Sequence, residues 1–263
     1  MNTEKEELIT KKRLLESAQL AFQKEIVVYT DFLGLAEQNL FYSSVREFPA
    51  VSYSCYGGTA DAERFCIAFD GRTAVSGLKC TEPEEYYLFP IVCIGITPSS
   101  LKYGETLTHR DYLGALLHLG ITRAKIGDIF IKEKRAYVFC TKAIADFICK
   151  ELCTVKHTLV HCEITVPEEN ELKPEFKEIT STVASLRLDA FLSVAFQTSR
   201  SSLSAFIDGG KTYINGRLTV KAGQTLSEGD VVSVRGKGRF VVSEVKNMTK
   251  KGRIVVTINK YIS

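Results

Sequence analysis

Residues 84–166 carry the pattern that most restricts what this chain can fold into. Tyr87–Ile96 is apolar and rich in strand-forming residues. Thr108–Leu119 has helical spacing, with Tyr112, Leu113, Leu116 and Leu117 apolar, Thr108 as N-cap and Gly120 as the stop. Asp128–Lys132 and Arg135–Cys140 read as paired strands around the polar turn Glu133-Lys134. Thr141 is placed to cap a helix running to about Leu152, and Thr158–Val166 alternates as a last strand. The order is β-α-β-β-α-β, that of the ferredoxin-like split βαβ.

Many unrelated domains share that order, RNA-recognition (RRM-like) domains among them. The strand Arg135-Ala136-Tyr137-Val138-Phe139 is aromatic but lacks a glycine after its basic residue. Its aromatics are expected in a core. Residues 1–80 read as an N-terminal helical and small-sheet segment. Leu8, Leu15 and Phe22 recur at heptad spacing within a helix over 5–23, and Asp31 can cap a second helix through about Ser43. Val51–Tyr56 and Phe65–Ala68 are short strands around Gly57-Gly58. Residues 167–180, with Pro167, Pro174 and five glutamates, have the composition of a polar linker. Residues 181–263 begin with a helix over Leu188–Ala195, and Thr198-Ser199-Arg200-Ser201-Ser202 caps a short helix ending at Asp208-Gly209-Gly210. Strands follow at Lys211–Ile214, Val231–Val234, Phe240–Val245 and Ile254–Ile258, with hairpin signals at Asn215-Gly216 and Gly229-Asp230. The fold class is α+β.

Charge divides the chain at the same place. The net charge of +3 conceals 13 Lys/Arg against 5 Asp/Glu over residues 181–263, a net of +8, and 21 against 26 over residues 1–180, a net of −5. Residues 231–263 hold eight basic side chains and one acid, Glu244. Such asymmetry points to a polyanion as partner for the basic end. The acidic start Met1-Asn2-Thr3-Glu4-Lys5-Glu6-Glu7 is unlike a signal peptide, and no stretch approaches the ~18 uncharged apolar residues of a membrane helix. A cytoplasmic protein with no membrane partner is expected.

Motifs for chemistry are sparse. The eight cysteines form no CxxC pair and read as reduced thiols. Cys149, Cys153, His157 and His161 recur at i+4 spacing with Cys162 adjacent, but Thr154-Val155 and Thr158-Leu159-Val160 favour a strand there. These side chains should diverge, so no metal is expected. No GxGxxG, GxxxxGK[ST], GxSxG or HExxH is present. His109-Arg110-Asp111 cannot serve as a triad, because adjacent helical residues point to different faces. No cofactor, small-molecule substrate or catalytic residue is expected.

A longer string is recognisable in the basic end. Arg187-Leu188-Asp189-Ala190-Phe191-Leu192, Ser199-Arg200-Ser201, Phe206-Ile207, Gly210-Lys211, Tyr213-Ile214-Asn215-Gly216, Leu226-Ser227-Glu228-Gly229-Asp230 and Val234-Arg235-Gly236 together resemble the ribosomal protein S4-like RNA-binding domain. Upstream, Phe32-Leu33-Gly34-Leu35-Ala36-Glu37-Gln38, Gly57-Gly58 with Glu63-Arg64, Leu107-Thr108-His109-Arg110-Asp111-Tyr112-Leu113-Gly114-Ala115-Leu116, Gly120-Ile121, Arg123 and Gly127-Asp128-Ile129 resemble bacterial proteins of the YlmH type. Arg187-Leu188-Asp189 also mimics a pseudouridine synthase motif, but Ala190-Phe191-Leu192-Ser193 continues a helix where that family has a Thr/Ser-x-Gly run.

The resemblance implies a non-enzymatic factor that docks on rRNA and tRNA of the large ribosomal subunit, in ribosome-associated quality control of stalled peptidyl-tRNA complexes. A monomer is expected. An RNA-modifying enzyme that uses the S4-like domain for docking, and a cell-division interaction protein, are the alternatives. The RNA-binding residues it points to are Arg187, Ser199, Arg200, Ser201, Lys211, Arg217, Lys221, Arg235, Lys237 and Arg239. A serine-rich helix start and glycine-flanked cations suit phosphate. His109, Arg110, Arg123 and Lys125 are candidates for a second RNA contact in the middle domain.

Overall fold

A computed structural model of the protein describes residues 2–72, 79–80, 89–100, 105–172, 176–249 and 252–262. They fall into two units, Met1–Lys173 and Pro174–Ser263. Residues 81–88 and 101–104, including Tyr87 at the expected start of the middle domain, lie outside the described residues, as does Pro174.

In the first unit, helix α1 (Asn2–Lys24), strand β1 (Val27–Tyr29), helix α2 (Leu35–Ser43) and strands β2 (Ser52–Tyr56), β3 (Cys66–Asp70) and β4 (Lys79–Cys80) come first. The strands form a sheet of order β1-β3-β2-β4. Then follow β5 (Ile91–Pro98), α3 (His109–His118), β6 (Ile126–Lys132), β7 (Arg135–Thr141), α4 (Ala145–Glu151), β8 (Thr154–Val155), β9 (Thr158–Thr165) and α5 (Glu169–Leu172). Their sheet has the order β6-β7-β5-β9-β8 and every pairing in it is antiparallel. This is the ferredoxin-like arrangement that the element order prescribes, extended by the short β8.

Period-2 alternation sorts the strand side chains into separate cores. On β7, Ala136, Val138 and Cys140 pack with Tyr112, Leu116 and Ile148 from α3 and α4. Tyr137 and Phe139, on the other face, pack with Phe32, Cys66, Ala68 and Phe89. On β3, Ile67 and Phe69 face the opposite way, towards Leu14, Ala18 and Ala21 of α1 and Phe41 of α2. The first unit is therefore layered helix, sheet, sheet, helix. Gly58 is needed where the sheets meet: its φ is +105°, and a Cβ there would lie 2.1 Å from the Phe139 ring.

Two expected caps differ. Helix α2 starts at Gly34, whose N–H donates to Glu37 Oε2 at 2.7 Å, while Asp31 pairs with Lys125 Nζ at 2.6 Å. The reach back from the third helical residue serves the cap, so Asp31 is left for a tertiary partner. After Thr141 the chain makes a 3-10 turn over Lys142–Ile144 before α4. The Thr141 hydroxyl is buried without a hydrogen-bond partner among the described residues. Thr108 does cap α3, with Asp111 Oδ2 accepting from its N–H at 2.7 Å.

The second unit holds β10 (Phe176–Val183), α6 (Leu188–Phe196), α7 (Arg200–Asp208), β11 (Thr212–Ile214), β12 (Arg217–Thr219), β13 (Val231–Val234), β14 (Gly238–Met248) and β15 (Ile254–Tyr261). Its six strands form one sheet of order β10-β15-β14-β13-β11-β12. Phe191 and Leu192 of α6 and Leu203 and Ile207 of α7 cover one face, against Val232, Phe240, Val242 and Ile258. Asn215 and Gly216 take φ values of +49° and +76°, as a two-residue hairpin requires.

The domain limits differ from those read in the sequence. Residues 1–80 and 84–166 belong to one compact unit, and the linker expected over 167–180 contains α5 and the first five of the eight residues of β10. β10 pairs along its whole length with β15, from Phe176↔Tyr261 to Val183↔Ile254.

Candidate nucleic-acid interface

Three basic residues of the second unit, Lys211, Arg235 and Lys237, gather where α7, β11 and the β13–β14 turn meet. Arg235 N–H donates to the Lys211 carbonyl at 2.9 Å, placing the two residues side by side. The turn Arg235-Gly236-Lys237-Gly238 has φ values of +79° and +118° at its glycines, which lets it fold back sharply. Lys211 Nζ and Lys237 Nζ then lie 5.8 and 5.4 Å from the centre of one ring, Phe206 of α7. Arg235 lies 6.0 Å from the centre of the Tyr213 ring. Exposed cation–aromatic contacts of this kind contribute roughly 0.5–1 kcal/mol. They steady the cations while leaving their charge towards solvent, where a phosphate can reach it.

Other expected contacts are placed differently. Arg187 precedes α6, where its Nε and Nη2 donate to the Asp189 carboxylate at 3.1 and 3.3 Å. Gly223 lies beside the same guanidinium, which an added Cβ there would meet at 3.4 Å. Asp189 thus orients Arg187. Ser199 caps α7, its Oγ accepting from Ser202 N–H at 3.3 Å and lying 3.0 and 2.7 Å from the hydroxyls of Ser201 and Ser202. Arg200 starts α7, and its side chain lies outside the described residues. Arg217, at the edge in β12, and Lys221, just beyond that strand, are exposed.

Arg239 does not join the Phe206 cluster. It lies 4.5 Å from the centre of the Tyr261 ring, on β15. Sequence reading missed the aromatic partners of these cations: Phe206, Tyr213, Tyr261 and, under Lys260 Nζ at 4.9 Å, Phe196. The available signal is an aromatic residue on a strand or helix end adjoining a basic turn.

In the first unit, four candidates separate into different roles. Arg123 Nη1 donates to the carbonyls of Ile126 and Gly127 at 2.6 and 3.0 Å. Burial, reinforced by nearby Arg64, pushes its pKa down to about 10. This is a guanidinium built into the start of β6 rather than one held out to RNA. Lys125 is paired with Asp31. His109 is partly buried, and that burial, with Arg123, lowers its pKa. Arg110 is exposed and lines an open groove with Asp111, His118, Glu151 and Lys156. Asp111 is held by Lys156 Nζ at 2.9 Å.

The aromatic face of the ferredoxin-like sheet is not available for stacking bases. Phe130, Tyr137 and Phe139 are packed against the N-terminal sheet, and Tyr137 OH donates to Glu171 of α5. The cysteine–histidine run also spreads out. Cys149 is on α4, His157 in the β8–β9 turn, and His161 and Cys162 on opposite faces of β9. Burial pushes the thiols of Cys66, Cys93, Cys140 and Cys162 up to about 12, which removes them from nucleophilic chemistry. Among the described residues no group of three or more His, Cys, Asp or Glu could hold a metal ion, and no helix is long and apolar enough to cross a membrane.

The fold is mixed α+β, the second unit carries aromatic-backed cations, and the sequence comparisons support an RNA-binding role. Residues 94–169 match the family described as "Putative RNA-binding domain in YlmH". It is 27% identical over 250 residues to "Ribosome-associated protein quality control protein P2" of Bacillus subtilis (strain 168), covering 94% of this chain and 92% of that one. A solved structure, "Cell division protein ylmH from Streptococcus pneumoniae", aligns with a TM-score of 0.48 and 16% identity over 61% of this chain and 92% of that chain.

Proposed function

We propose that the protein is a non-enzymatic factor that docks on rRNA and tRNA of the large ribosomal subunit and acts in ribosome-associated quality control of stalled peptidyl-tRNA complexes. The observation that carries this reading is the clustering of Lys211, Arg235 and Lys237 around Phe206 and Tyr213 at a glycine-bearing turn. Exposed cations steadied by aromatic rings suit the irregular phosphate surface of folded RNA, which proteins recognise by shape and backbone. The likeness to the Bacillus quality-control protein over nearly the whole chain supports the ribosome as the source of that RNA. Helices α6 and α7, the Asn215-Gly216 hairpin and the turn after Val234 fit an S4-like docking module, with β10 as an added edge strand.

In this reading the protein works by positioning. Arg187, held by Asp189, offers a second fixed cation, and exposed Arg110 offers a contact on the other unit. Two modest contacts on one chain raise the effective concentration of each without either being tight. Sedimentation of the tagged protein through sucrose gradients, followed by RNA crosslinking, tests the proposal. Co-migration with large subunits and crosslinks to their RNA are expected. Migration only with free protein overturns it.

A further inference from the structure

The sheet of the second unit has two faces, and the phosphate-directed reading uses neither of them fully. Phe240 and Val242 of β14 and Ile258 of β15 point to the helices. Register then fixes the other face. Phe240 pairs with Lys260, so Arg239 and Tyr261, the next residues outward on their strands, share the side away from α6 and α7. Phe176 of β10 is directly opposite Tyr261 and joins them on that side.

These three side chains form a stack. The Arg239 guanidinium is 4.5 Å from the centre of the Tyr261 ring, and the Tyr261 and Phe176 rings meet edge to face, with centres 4.7 Å apart and planes at 71°. The arrangement is partly open: Phe176 is 41% exposed. An exposed phenylalanine at the edge of a sheet is otherwise a liability. In the sequence, residues 231–263, which include Arg239 and Tyr261, carry eight basic side chains against one acid. Rings steadied by one another and by a guanidinium, in a positive field, suit the flat face of an unpaired base whose phosphates are drawn to the surrounding cations.

We infer that Arg239, Tyr261 and Phe176 form a stacking site for an unpaired base of single-stranded RNA, on the sheet face opposite the helices. The inference rests on the RNA-binding reading above but assigns a different part of the ligand, base rather than phosphate, to a sheet face that the site shares with Tyr213 through the register Tyr213↔Ser233↔Arg239. It also explains why Arg239 departs from the Lys211–Lys237 cluster.

The test compares oligouridylate with an abasic ribose-phosphate strand of the same length, which keeps the charge and removes the bases. Full-length wild-type protein should bind oligouridylate roughly 5- to 150-fold more tightly than the abasic strand, the span expected for one to three kcal/mol of stacking. Tyr261→Leu should erase that preference while leaving abasic binding unchanged, and Tyr261→Phe should keep it. Equal wild-type affinity for both strands overturns the inference, as does a preference that survives Tyr261→Leu. Lys211→Ala with Lys237→Ala should weaken both strands alike. If wild type binds neither strand nor folded ribosomal RNA, the RNA-binding reading itself fails, an outcome distinct from failure of the stack. Thermal melting of Tyr261→Leu at the wild-type temperature shows that lost preference is not lost fold.

Discussion

Asp128 accepts hydrogen bonds from the backbone N–H groups of Glu63 and Arg64, at 2.6 and 3.1 Å, so one carboxylate ties the loop before β3 to strand β6. The Arg64 side chain returns the link, donating from Nε to the Ile126 carbonyl and from Nη2 to the Phe32 carbonyl, both at 3.0 Å. Asp128→Ala should therefore lower the unfolding free energy by about 2–4 kcal/mol, because two amides lose a charged acceptor. Denaturant titration measures it. An unchanged midpoint would show that water replaces the carboxylate at no cost.

The contact between Gly58 and Phe139 should be just as demanding. Gly58→Ala meets a positive φ and a ring 2.1 Å away, so the two sheets must part. A loss of about 2–4 kcal/mol is expected. Phe139→Ala should cost about 3–5 kcal/mol through the cavity left between sheets. Neither change should alter the salt dependence of RNA binding, which fluorescence anisotropy at several salt concentrations reads directly.

That salt dependence is where the basic cluster should show itself. Lys211→Ala and Lys237→Ala should each weaken binding to folded ribosomal RNA and reduce the log–log salt slope by about 1. A slope that stays the same in both variants would place the phosphates elsewhere.

The Asp111 carboxyl is held down to about 2 by Lys156 and by Thr108. An unfolded aspartate titrates near ~3.9. The folded value lies below it, so the stabilisation is complete above about pH 4 and disappears as pH falls through about 2. Carbon NMR titration of Asp111 should find the low value, and Lys156→Gln should move it back towards the ordinary range. An ordinary value in the wild type would mean that the ion pair with Lys156 does not form.

Thiol labelling offers a check on the layers. Iodoacetamide at pH 8 should modify exposed Cys153 in the native protein, while Cys66, Cys93, Cys140 and Cys162 react only after unfolding. Rapid labelling of Cys93 or Cys66 in native buffer would mean that the two sheets of the first unit are not packed together.

Much of the fold was legible because its strands alternate. β9 is the plainest case, with Thr158, Val160 and Cys162 inside and Leu159 and His161 outside. β10 was hidden because Phe-Lys-Glu-Ile-Thr-Ser-Thr-Val at a sheet edge keeps most of its side chains towards solvent, so its composition is that of a linker. β7 gave the opposite difficulty. From Ala136 to Thr141 every residue is buried, and no alternation in the sequence says that two different cores share it. The site was half legible. Basic residues beside glycines pointed to the Lys211–Lys237 corner, but Arg123 looked like any surface arginine until Ile126 and Gly127 were seen to take its donors. Only strand register shows that Arg239 meets Tyr261, 22 positions later in the chain.

The covered aromatic face of the ferredoxin-like sheet has a practical consequence for anyone who cuts this chain. A fragment trimmed to the family limits, residues 94–169, keeps Phe130, Tyr137 and Phe139 but discards Phe32, Cys66, Ala68 and Phe89, which cover them. It would present a bare, greasy β-surface, self-associate, and bind many things indiscriminately. RNA retention by such a fragment would be an artefact of excision; pull-downs should start from the N-terminal helix.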